Sequence, residues 1–444
     1  MAKKNQLPQS TLSRTTSLLG AGLKILGKEA GQRIKETFKE KWDESAPEII
    51  KLRVEQAKIL GQNLSQLKGA AMKLGQIISL DAADFLPKEA ADILAQLQSD
   101  AEPVDFSIMK NLLLEELGAE RLALLNLKSE TPIAAASIGQ VYRGECQIEM
   151  QTRPVAVKVQ YPGVAEAIDS DILILKNALQ PFLRLTKRDI DLTEMFAEMK
   201  LMLEQESNYV IEAAFMKEYR SQITDHKDYA VPEVINEFST RRVICMEWMT
   251  GTPVKVWINK NPSYEKRLRM AHLVLDLYLL EFYKWGLVQT DPNFGNFLID
   301  EKSDQLILLD FGSCKKYDRT YVEQYKKFIT VFSQNDSRKT IQEAIDFKLI
   351  DPRESDQAKN YFIQMMEVAM EPFNHPSGLF DFQDPSYNQR NRKAILQFTS
   401  HLKYSPPPRH LIFLHRKLGG IFNFAKMLGV KMDLKPYWQK MQSL

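Results

Sequence analysis

The sequence has few cysteines and no cysteine pattern that would stabilise a small domain or hold a metal. Its 444 residues include three cysteines that lie far apart, Cys146, Cys245 and Cys314. They form no Cys-x-x-Cys pair and are odd in number, so neither a disulfide framework nor a common zinc site is expected. Because disulfides persist in oxidising compartments, this cysteine usage favours a reducing one.

Long apolar segments are also absent. The best candidate for a membrane span, Leu273 to Val288, is interrupted by Asp276, Glu281 and Lys284, whereas a membrane-spanning helix needs about 20 predominantly apolar residues. The N-terminus has no continuous apolar stretch followed by a small-residue cleavage site, so a secretory signal is not expected. We therefore expect neither a transmembrane span nor export.

Neither positively nor negatively charged residues are in large excess. The chain has 59 Lys and Arg residues against 57 Asp and Glu residues, a net charge of +2. This net charge is too small for a protein whose overall charge attracts nucleic acid, so no nucleic-acid partner is expected. With 44% hydrophobic and 26% charged residues, the composition is that of a globular protein. The length corresponds to about three domains, or to one large two-lobed domain with extensions.

Positive charge is concentrated at the N-terminus. Residues 1–28 contain five basic residues and no acidic residue, and Leu18, Leu19, Leu23 and Leu26 fall on one helical face. Three interpretations are open: a helix or tail that docks on the protein itself, a basic amphipathic helix on an anionic membrane surface, and an organelle targeting segment.

The hydrophobic pattern predicts helical segments at both ends and a small sheet in the middle. Long helices are expected at 47–78 and 108–125, and helices dominate again from Tyr264 onward. Short strands separated by helices are expected between them. The expected strands are Ser137–Arg143, Val155–Gln160, Ala230–Val234 and Val243–Trp248, followed by two short apolar runs, Asn296–Ile299 and Gln305–Leu309.

Two elements of the central sheet suit phosphate binding. Ala134 to Tyr142 is a small-residue turn leading into a strand, and small side chains let backbone amides approach phosphate oxygens, although a tight β-turn uses the same residues. Lys158 ends the strand segment Val155-Ala-Val-Lys158. An ammonium group among apolar neighbours needs anionic partners, such as nucleotide phosphates and a helix carboxylate. The alternative is a lysine on an edge strand that reaches water.

Two later elements suit catalysis and metal binding. Asp291 and Asn296 lie five residues apart on one predicted loop and can orient a nucleophile and bind a metal, respectively, although Asp-Pro-Asn alone is a turn signature. Asp310 follows an apolar strand in Asp310-Phe-Gly312 and can hold Mg²⁺ against phosphates. The four elements occur in the order found in protein kinases and therefore predict a kinase-like fold.

Three kinase features are missing. The chain has no Gly-x-Gly-x-x-Gly, no His-Arg before Asp291 and no Ala-Pro-Glu after Asp310. We therefore expect no peptide-docking activation segment of the usual type.

With these departures the chain resembles the UbiB family (AarF/ADCK) of atypical protein-kinase-like proteins. Lys73-Leu-Gly75-Gln76 resembles the family's KxGQ signature, Ala134 to Gln140 its Ala-rich loop, and His415 to Gly420 its C-terminal region. The segments around Asp291 and Asp310 resemble its catalytic and metal motifs. The resemblance runs from around residue 45 to the end, and the lack of C-terminal transmembrane spans is more like the ADCK branch.

The resemblance implies an α+β, protein-kinase-like two-lobed fold with an N-terminal helical KxGQ extension packed over the active site. The chain would then divide into a basic amphipathic segment (1–44), the KxGQ extension (45–127), a kinase-like N-lobe with a helical insertion (128–250) and a helical C-lobe with a C-terminal extension (251–444).

The resemblance also implies roles for individual residues. Asp291 would orient the nucleophile, and Lys158 would contact the α- and β-phosphates and pair with Glu212. The family's Glu-x-Asp motif begins at Glu206 but ends here in Asn208, which removes a negative charge near the family-specific lysine. The remaining implied residues are the phosphate loop Ala134, Ala135, Ala136, Ser137, Ile138 and Gly139, the adenine hinge Met246, Glu247 and Trp248, the Mg²⁺ ligands Asn296 and Asp310, and the family-specific residues Lys73, Gly75 and Gln76.

The implied activity is Mg-dependent ATP hydrolysis or phosphotransfer, with ATP/ADP and Mg²⁺ as cofactors, in support of ubiquinone (coenzyme Q) biosynthesis. Implied partners are anionic membrane lipids, isoprenoid quinone precursors and coenzyme Q biosynthesis proteins, and a homodimer is left open. The implied location is cytoplasmic and peripheral on the inner face of a membrane, on the matrix side in a mitochondrion. One alternative is a protein Ser/Thr kinase, which the missing Ala-Pro-Glu disfavours. The other is a nucleotide-binding scaffold with little turnover, which Asn208 favours and the intact Asp291 and Asp310 disfavour.

Overall fold

A computed structural model describes residues 104–136, 138–148, 150–173, 193–291, 293–376, 378–405 and 409–443. The predicted helix at 47–78, the N-terminal residues 1–28 and the positions Lys73, Gly75, Gln76 and Ser137 lie outside the described residues. The chain forms two compact units, the first within Met1–Ala213 and Val234–Trp248, the second within Ala214–Glu233 and Met249–Leu444. The division into four segments stays a prediction.

Helices make up most of the described chain, and residues 164–173 are also helical. In chain order the helices are α1 (Phe106–Ala123), α2 (Thr193–Glu206), α3 (Tyr209–Gln222), α4 (Val254–Asn259), α5 (Tyr264–Leu279), α6 (Arg319–Phe332), α7 (Ser337–Asp346), α8 (Asp356–Met370), α9 (Pro385–His401), α10 (Arg409–Leu428) and α11 (Lys435–Ser443).

The strands are short except for one long hairpin. They are β1 (Leu125–Leu127), β2 (Ala134–Ala135), β3 (Gly139–Ile148), β4 (Gln151–Gln160), β5 (Tyr229–Ala230), β6 (Val243–Glu247), β7 (Thr252–Pro253), β8 (Leu287–Gln289), β9 (Phe297–Asp300), β10 (Gln305–Leu308), β11 (Cys314–Lys316), β12 (Phe380–Asp381) and β13 (Lys431–Met432).

The first unit is built around an antiparallel sheet with the order β1, β3, β4, β6, and β2 also pairs with β3. The β3–β4 hairpin is in register over its whole length, from Gly139 opposite Gln160 to Ile148 opposite Gln151. Strand β4 lies between β3 and β6, and its valines are fully buried. β-branched residues pack well on such a surface, so the middle strand is a rigid support for any side chain it carries.

The second unit is mainly helical, with a four-stranded sheet in the order β5, β10, β9, β7 and a separate pair, β8 with β11. Helix α5 is capped by Ser263 and runs directly into a π-helical turn, Leu280–Trp285. That turn ends at Gly286, whose φ of 63° is left-handed, where a side chain would collide with the Tyr317 carbonyl oxygen. Glycine adopts this conformation without strain, so the chain can turn there into β8 and the loop that carries Asp291.

One predicted strand is shorter than expected. The sequence pattern predicts a strand over Ala230–Val234, but the structure has only Tyr229–Ala230 as a strand, and Val234 forms a single bridge with Met246. Pro232 lies between them and has no N–H to donate to a strand ladder. None of the described helices is both long and apolar enough to cross a bilayer, and none of the three buried cysteines forms a disulfide.

Candidate functional site

The small-residue turn lies at the start of the long hairpin. β2 pairs with β3 in the register Ala134 to Val141, and the Ala136 N–H donates to the Gly139 carbonyl oxygen at 2.8 Å. Ala134 and Ala135 are exposed, whereas Ile138 and Gly139 are buried. A methyl group on Gly139 would collide with the Val159 carbonyl oxygen and approach the Tyr209 hydroxyl to 2.7 Å. The turn is therefore held close to β4, and a contact of its backbone with phosphate stays a prediction.

Lys158 lies on the central strand and not on an edge. Its backbone is opposite Val141 on one side and Ile244 on the other. Its Nζ atom lies 2.8 Å from Glu212 Oε1 and 3.1 Å from Oε2, and the exposed fractions of the two side chains are 9% and 1%. The alternative of an edge lysine that reaches water is wrong, because both partners are buried. The carboxylate fixes the position of the Lys158 ammonium, and a contact with phosphate stays a prediction.

The segment Glu206 to Glu212 is two helices and not one. α2 ends at Glu206 and α3 begins at Tyr209, because Asn208 breaks the helix and its side-chain Oδ1 accepts the Val210 N–H at 3.2 Å. The Asn208 carbonyl also accepts the Ile211 N–H at 2.9 Å. Asparagine and aspartate are comparable at helix N-termini. Asn208 therefore keeps the start of the helix that carries Glu212, although it lacks the negative charge.

The predicted adenine hinge lies at the end of β6. Met246 is buried, while Glu247 and Trp248 are half-buried. The Trp248 N–H donates to the Pro154 carbonyl at 3.1 Å, and the Arg143 guanidinium lies 4.7 Å from the centre of the Trp248 ring. These contacts fix the end of β6 against the neighbouring hairpin. A contact with adenine stays a prediction.

In the second unit, two loops carry the predicted catalytic and metal-binding residues and are bonded to each other. The Thr290 N–H and hydroxyl both donate to the Ser313 carbonyl, at 3.0 and 2.6 Å. The Leu309 N–H donates to the Asn296 carbonyl at 3.0 Å. The loop with Asp291 and Asn296 is thus joined at both ends to the segment with Asp310.

Within these loops the carboxylates are oriented by backbone amides. Asp291 Oδ1 accepts the Asn293 N–H at 3.3 Å, and Asp291 Oδ2 lies 3.5 Å from Asn296 Nδ2. Asp310 Oδ1 accepts the Gly312 N–H at 3.0 Å. Asp291 is buried, and Asp310 and Asn296 are half-buried. Each carboxylate keeps further lone pairs for a ligand, since one oxygen can accept more than one hydrogen bond.

These residues fit a magnesium ion that arrives with a nucleotide. Mg²⁺ prefers oxygen ligands and is usually held by one or two carboxylates together with substrate phosphates and water. Asn296 supplies an amide oxygen just before β9, and Asp310 supplies a carboxylate two residues after the end of β10, the strand that pairs with β9. Among the described residues no group of three or more His, Cys, Asp or Glu side chains could hold a metal by itself. These donors therefore suit a metal site that the protein shares with the phosphates of a nucleotide, and not one in which the protein supplies every ligand.

A buried ionic network next to the loop that carries Asp291 was not predicted from the sequence. Glu281, in the π-helical turn, accepts the Tyr219 hydroxyl at 2.8 Å and the Gln289 N–H at 3.2 Å. Lys417, on α10, lies 3.1 Å from Glu281 Oε2 and 3.1 Å from Gln289 Oε1. Burial raises the pKa of Glu281, and the Lys417 ammonium opposes this shift. The only signal in the sequence was a glutamate within the apolar run from Leu273 to Val288.

The folds of the two units and their residues define a class. Three features together are typical of protein-kinase-like domains. They are the pair of a lysine on the middle strand with a glutamate on α3, the loop from Asp291 to Asn296, and the Asp310-Phe-Gly turn.

Comparison with known proteins agrees with this class. Residues 96–344 match the ABC1 atypical kinase-like domain. The chain is 30% identical over 461 residues to "Atypical kinase COQ8B, mitochondrial" of Rattus norvegicus, and the alignment covers 100% of this chain and 84% of the relative. It is 31% identical over 372 residues to "Atypical kinase COQ8, mitochondrial" of Saccharomyces cerevisiae, with 83% and 72% covered.

A solved structure shares the fold. It is the complex of Rv3197 with erythromycin from Mycobacterium tuberculosis, with a TM-score of 0.56 and 24% identity, covering 84% of this chain and 92% of that one. The chain belongs to the UbiB family of ABC1 atypical kinase-like proteins, and the predicted α+β kinase-like fold is confirmed.

Proposed function

We propose that this protein is a Mg-dependent, ATP-binding atypical kinase or ATPase that supports ubiquinone biosynthesis at a membrane surface. The observation that carries the proposal is the bonding of the Asp291 loop to the Asp310 segment through Thr290 and Ser313. It joins the chain segments that carry Asp291, Asn296 and Asp310, to which the proposal gives the roles of general base and oxygen ligands. Support for the pathway comes from the mitochondrial COQ8 relatives.

Each unit contributes residues with a distinct task. In the first, Lys158, fixed by Glu212, binds the α- and β-phosphates, and the backbone around Ala134 to Gly139 binds phosphate oxygens. In the second, Asn296 and Asp310 would hold Mg²⁺, and the ion would supply positive charge against the phosphates.

Asp291 acts on the nucleophile, which is water in hydrolysis or an alcohol in transfer. The nucleophile's oxygen forms a bond to the γ-phosphorus as the bond from that phosphorus to the bridging β-phosphate oxygen breaks. The proton of the nucleophile passes to Asp291, and ADP leaves. In hydrolysis one water and one ATP thus give ADP and phosphate.

The test is phosphate release from Mg-ATP by the wild type and by Asp310→Asn, with and without anionic liposomes. We expect metal-dependent release that Asp310→Asn lowers by at least about 100-fold, because the variant loses a ligand charge. Asp304→Asn is the matched control: Asp304 is on the exposed turn of the same hairpin, and its φ of 54° suits asparagine. Release that is absent in the wild type, or unchanged in Asp310→Asn, would refute the proposal.

A protein Ser/Thr kinase is the second candidate, because Asp291 could accept a proton from a serine hydroxyl as well as from water. The missing Ala-Pro-Glu segment speaks against it. Transfer of the labelled γ-phosphate to a protein, with little free phosphate, would favour this candidate. Tight Mg-ATP binding without release or transfer would favour the nucleotide-binding scaffold.

Peripheral membrane binding is the part of the proposal that rests on the N-terminal charge. Residues 1–28 carry five basic residues, and each can contribute about 1 kcal/mol of attraction to an anionic surface. We therefore place the protein on the inner face of a membrane, near isoprenoid quinone precursors. Deletion of residues 1–28 is expected to weaken flotation with anionic liposomes and to leave flotation with neutral ones unchanged. Equal flotation of both proteins would favour the self-docking helix.

A further inference from the structure

Helix α10 presents two consecutive cations to the catalytic loop, and only the second is fully paired. Lys417 Nζ lies 3.1 Å from Gln289 Oε1 and 3.1 Å from Glu281 Oε2. Gln289 ends β8, two residues before Asp291. Lys417 therefore fixes α10 to the base of the loop and thereby fixes the position of Arg416.

Arg416 lies near the carboxylate of Asp291, but two of its nitrogen donors have no hydrogen-bond acceptor. Its Nη2 atom lies 3.9 Å from Asp291 Oδ1, and the exposed fraction of its side chain is 4%. That distance exceeds a hydrogen bond, and neither Nε nor Nη2 has a hydrogen-bond acceptor among the described residues. A guanidinium stays charged in proteins, and buried donors are normally satisfied. Two unfilled donors on one buried cation therefore point to a ligand.

The chemistry beside Asp291 requires a positive charge. A phosphoryl group in transfer spreads negative charge over three oxygens, and an arginine supplied by the same chain is one known way to stabilise it. The loop from Gln289 to Asn296 contains no Lys or Arg. Asp291 itself is an anion and would repel the phosphoryl oxygens. Arg416 is placed next to the carboxylate where that repulsion arises.

We propose that Arg416 is a catalytic residue that binds oxygens of the transferred phosphoryl group through its Nε and Nη2 donors. The planar guanidinium can contact two oxygens through parallel N–H donors on two separate nitrogens, whereas all the donors of a lysine lie on one nitrogen. Asp291 meanwhile accepts the proton of the nucleophile. This inference rests on the proposed function, since it assigns a further residue to the same reaction.

The test compares binding of Mg-ADP with and without aluminium fluoride, which imitates the transferred phosphoryl group. The wild type is expected to bind Mg-ADP roughly 100-fold more tightly when aluminium fluoride is present, because transition-state analogues bind more tightly than substrates or products. This increase in affinity is called the fluoride gain below. Arg416→Gln and Arg416→Lys are expected to bind Mg-ADP within about twofold of the wild type and to lose most of the fluoride gain, because neither has the two-donor fork. Arg269→Gln, which removes an exposed arginine paired with Asp228, is the control and should keep the full gain.

Phosphate release gives the second measurement. We expect kcat to fall by about 1,000-fold in Arg416→Gln, as for other arginines that act on the phosphoryl group. A fluoride gain retained in both Arg416 variants, while the wild type releases phosphate, would overturn the role of Arg416 alone. Equal loss of Mg-ADP binding and of the fluoride gain in Arg416→Lys would show that Arg416 only supports the fold. No fluoride gain and no release in the wild type would overturn this inference and the proposed function together.

Discussion

Lys158 and Glu212 form a buried ion pair across 54 residues of sequence, with Nζ 2.8 Å from Oε1. The lysine is on the middle strand of its sheet and the glutamate in the first turn of α3. Taking both charges out of water is costly unless each has its partner. The pair is therefore weak evidence for stability, and the contact of Lys158 with an anionic ligand stays a prediction.

Breaking this pair on one side should destabilise the protein, and replacing both partners should not. We expect Glu212→Gln to lower the free energy of unfolding by about 3–5 kcal/mol, because it leaves Lys158 buried without its carboxylate. Lys158→Met/Glu212→Leu should recover most of that loss and still bind Mg-ATP at least about tenfold more weakly. Urea unfolding and calorimetric titration measure the two effects.

Lys128→Met provides the control, since Lys128 forms an exposed pair with Glu145 in the same unit, and such pairs contribute about 0–1 kcal/mol. Nucleotide binding by the double variant at wild-type strength would show that the buried pair lies outside the nucleotide site.

Lys417→Met should destabilise the second unit in a pH-dependent way. It leaves Glu281 buried without the ammonium that opposes its raised pKa, and we expect a loss of about 3–5 kcal/mol near neutral pH. Because the pKa of Glu281 is raised in the folded state, folding favours its protonated form, and stability is lost as pH rises through that pKa. The loss in Lys417→Met should therefore be smaller at pH 5 than at pH 8. Urea unfolding at the two pH values measures the difference.

A matched control is Lys440→Met, because Lys440 forms an exposed pair with Asp276 and should contribute only about 0–1 kcal/mol at either pH. A loss in Lys417→Met that is equal at pH 5 and pH 8 would contradict a charged Glu281 as its cause.

Gly139→Ala should disturb the turn at the start of β3, which is predicted to bind phosphate. The added methyl group would collide with the Val159 carbonyl oxygen and crowd the Tyr209 hydroxyl, so we expect a loss of about 1–3 kcal/mol and weaker Mg-ATP binding. Gly419→Ala, on the exposed side of α10 with no atom within 4 Å of the new methyl group, should instead gain up to about 1 kcal/mol. Thermal unfolding and nucleotide titration compare the two variants, and equal behaviour would show that the close approach at Gly139 can relax.

The sequence predicts the local elements of the first unit well, because they depend on short-range patterns. The short apolar run before Lys158 lies on β4 as predicted, and the small residues near Ala134 lead into β3. Where a polar residue interrupts a pattern the prediction is poorer. Asn208 separates α2 from α3, because its side chain accepts a backbone N–H at the start of the second helix.

Contacts between distant segments could not be predicted from periodicity. Gln289 and Lys417 are 128 residues apart, and no role could be given to the segment from His415 to Gly420 before the structure placed it beside the loop that carries Asp291. Glu281 looked like a mere interruption of an apolar run. Its partners come from three separate segments, at Tyr219, Gln289 and Lys417, and such pairing is fixed by tertiary packing and not by local sequence.

The most direct test of the central claim is the affinity for ATP with Mg²⁺ and with EDTA, measured by calorimetric titration on the wild type and on Asp310→Asn. If Asp310 and Asn296 bind a metal that arrives with the phosphates, Mg²⁺ should tighten binding to the wild type by at least about tenfold. Asp310→Asn should lose that gain and keep its affinity in EDTA, while Asp304→Asn behaves as the wild type. Equal affinity with Mg²⁺ and with EDTA in the wild type, or a full metal gain in Asp310→Asn, would contradict the assignment of this site.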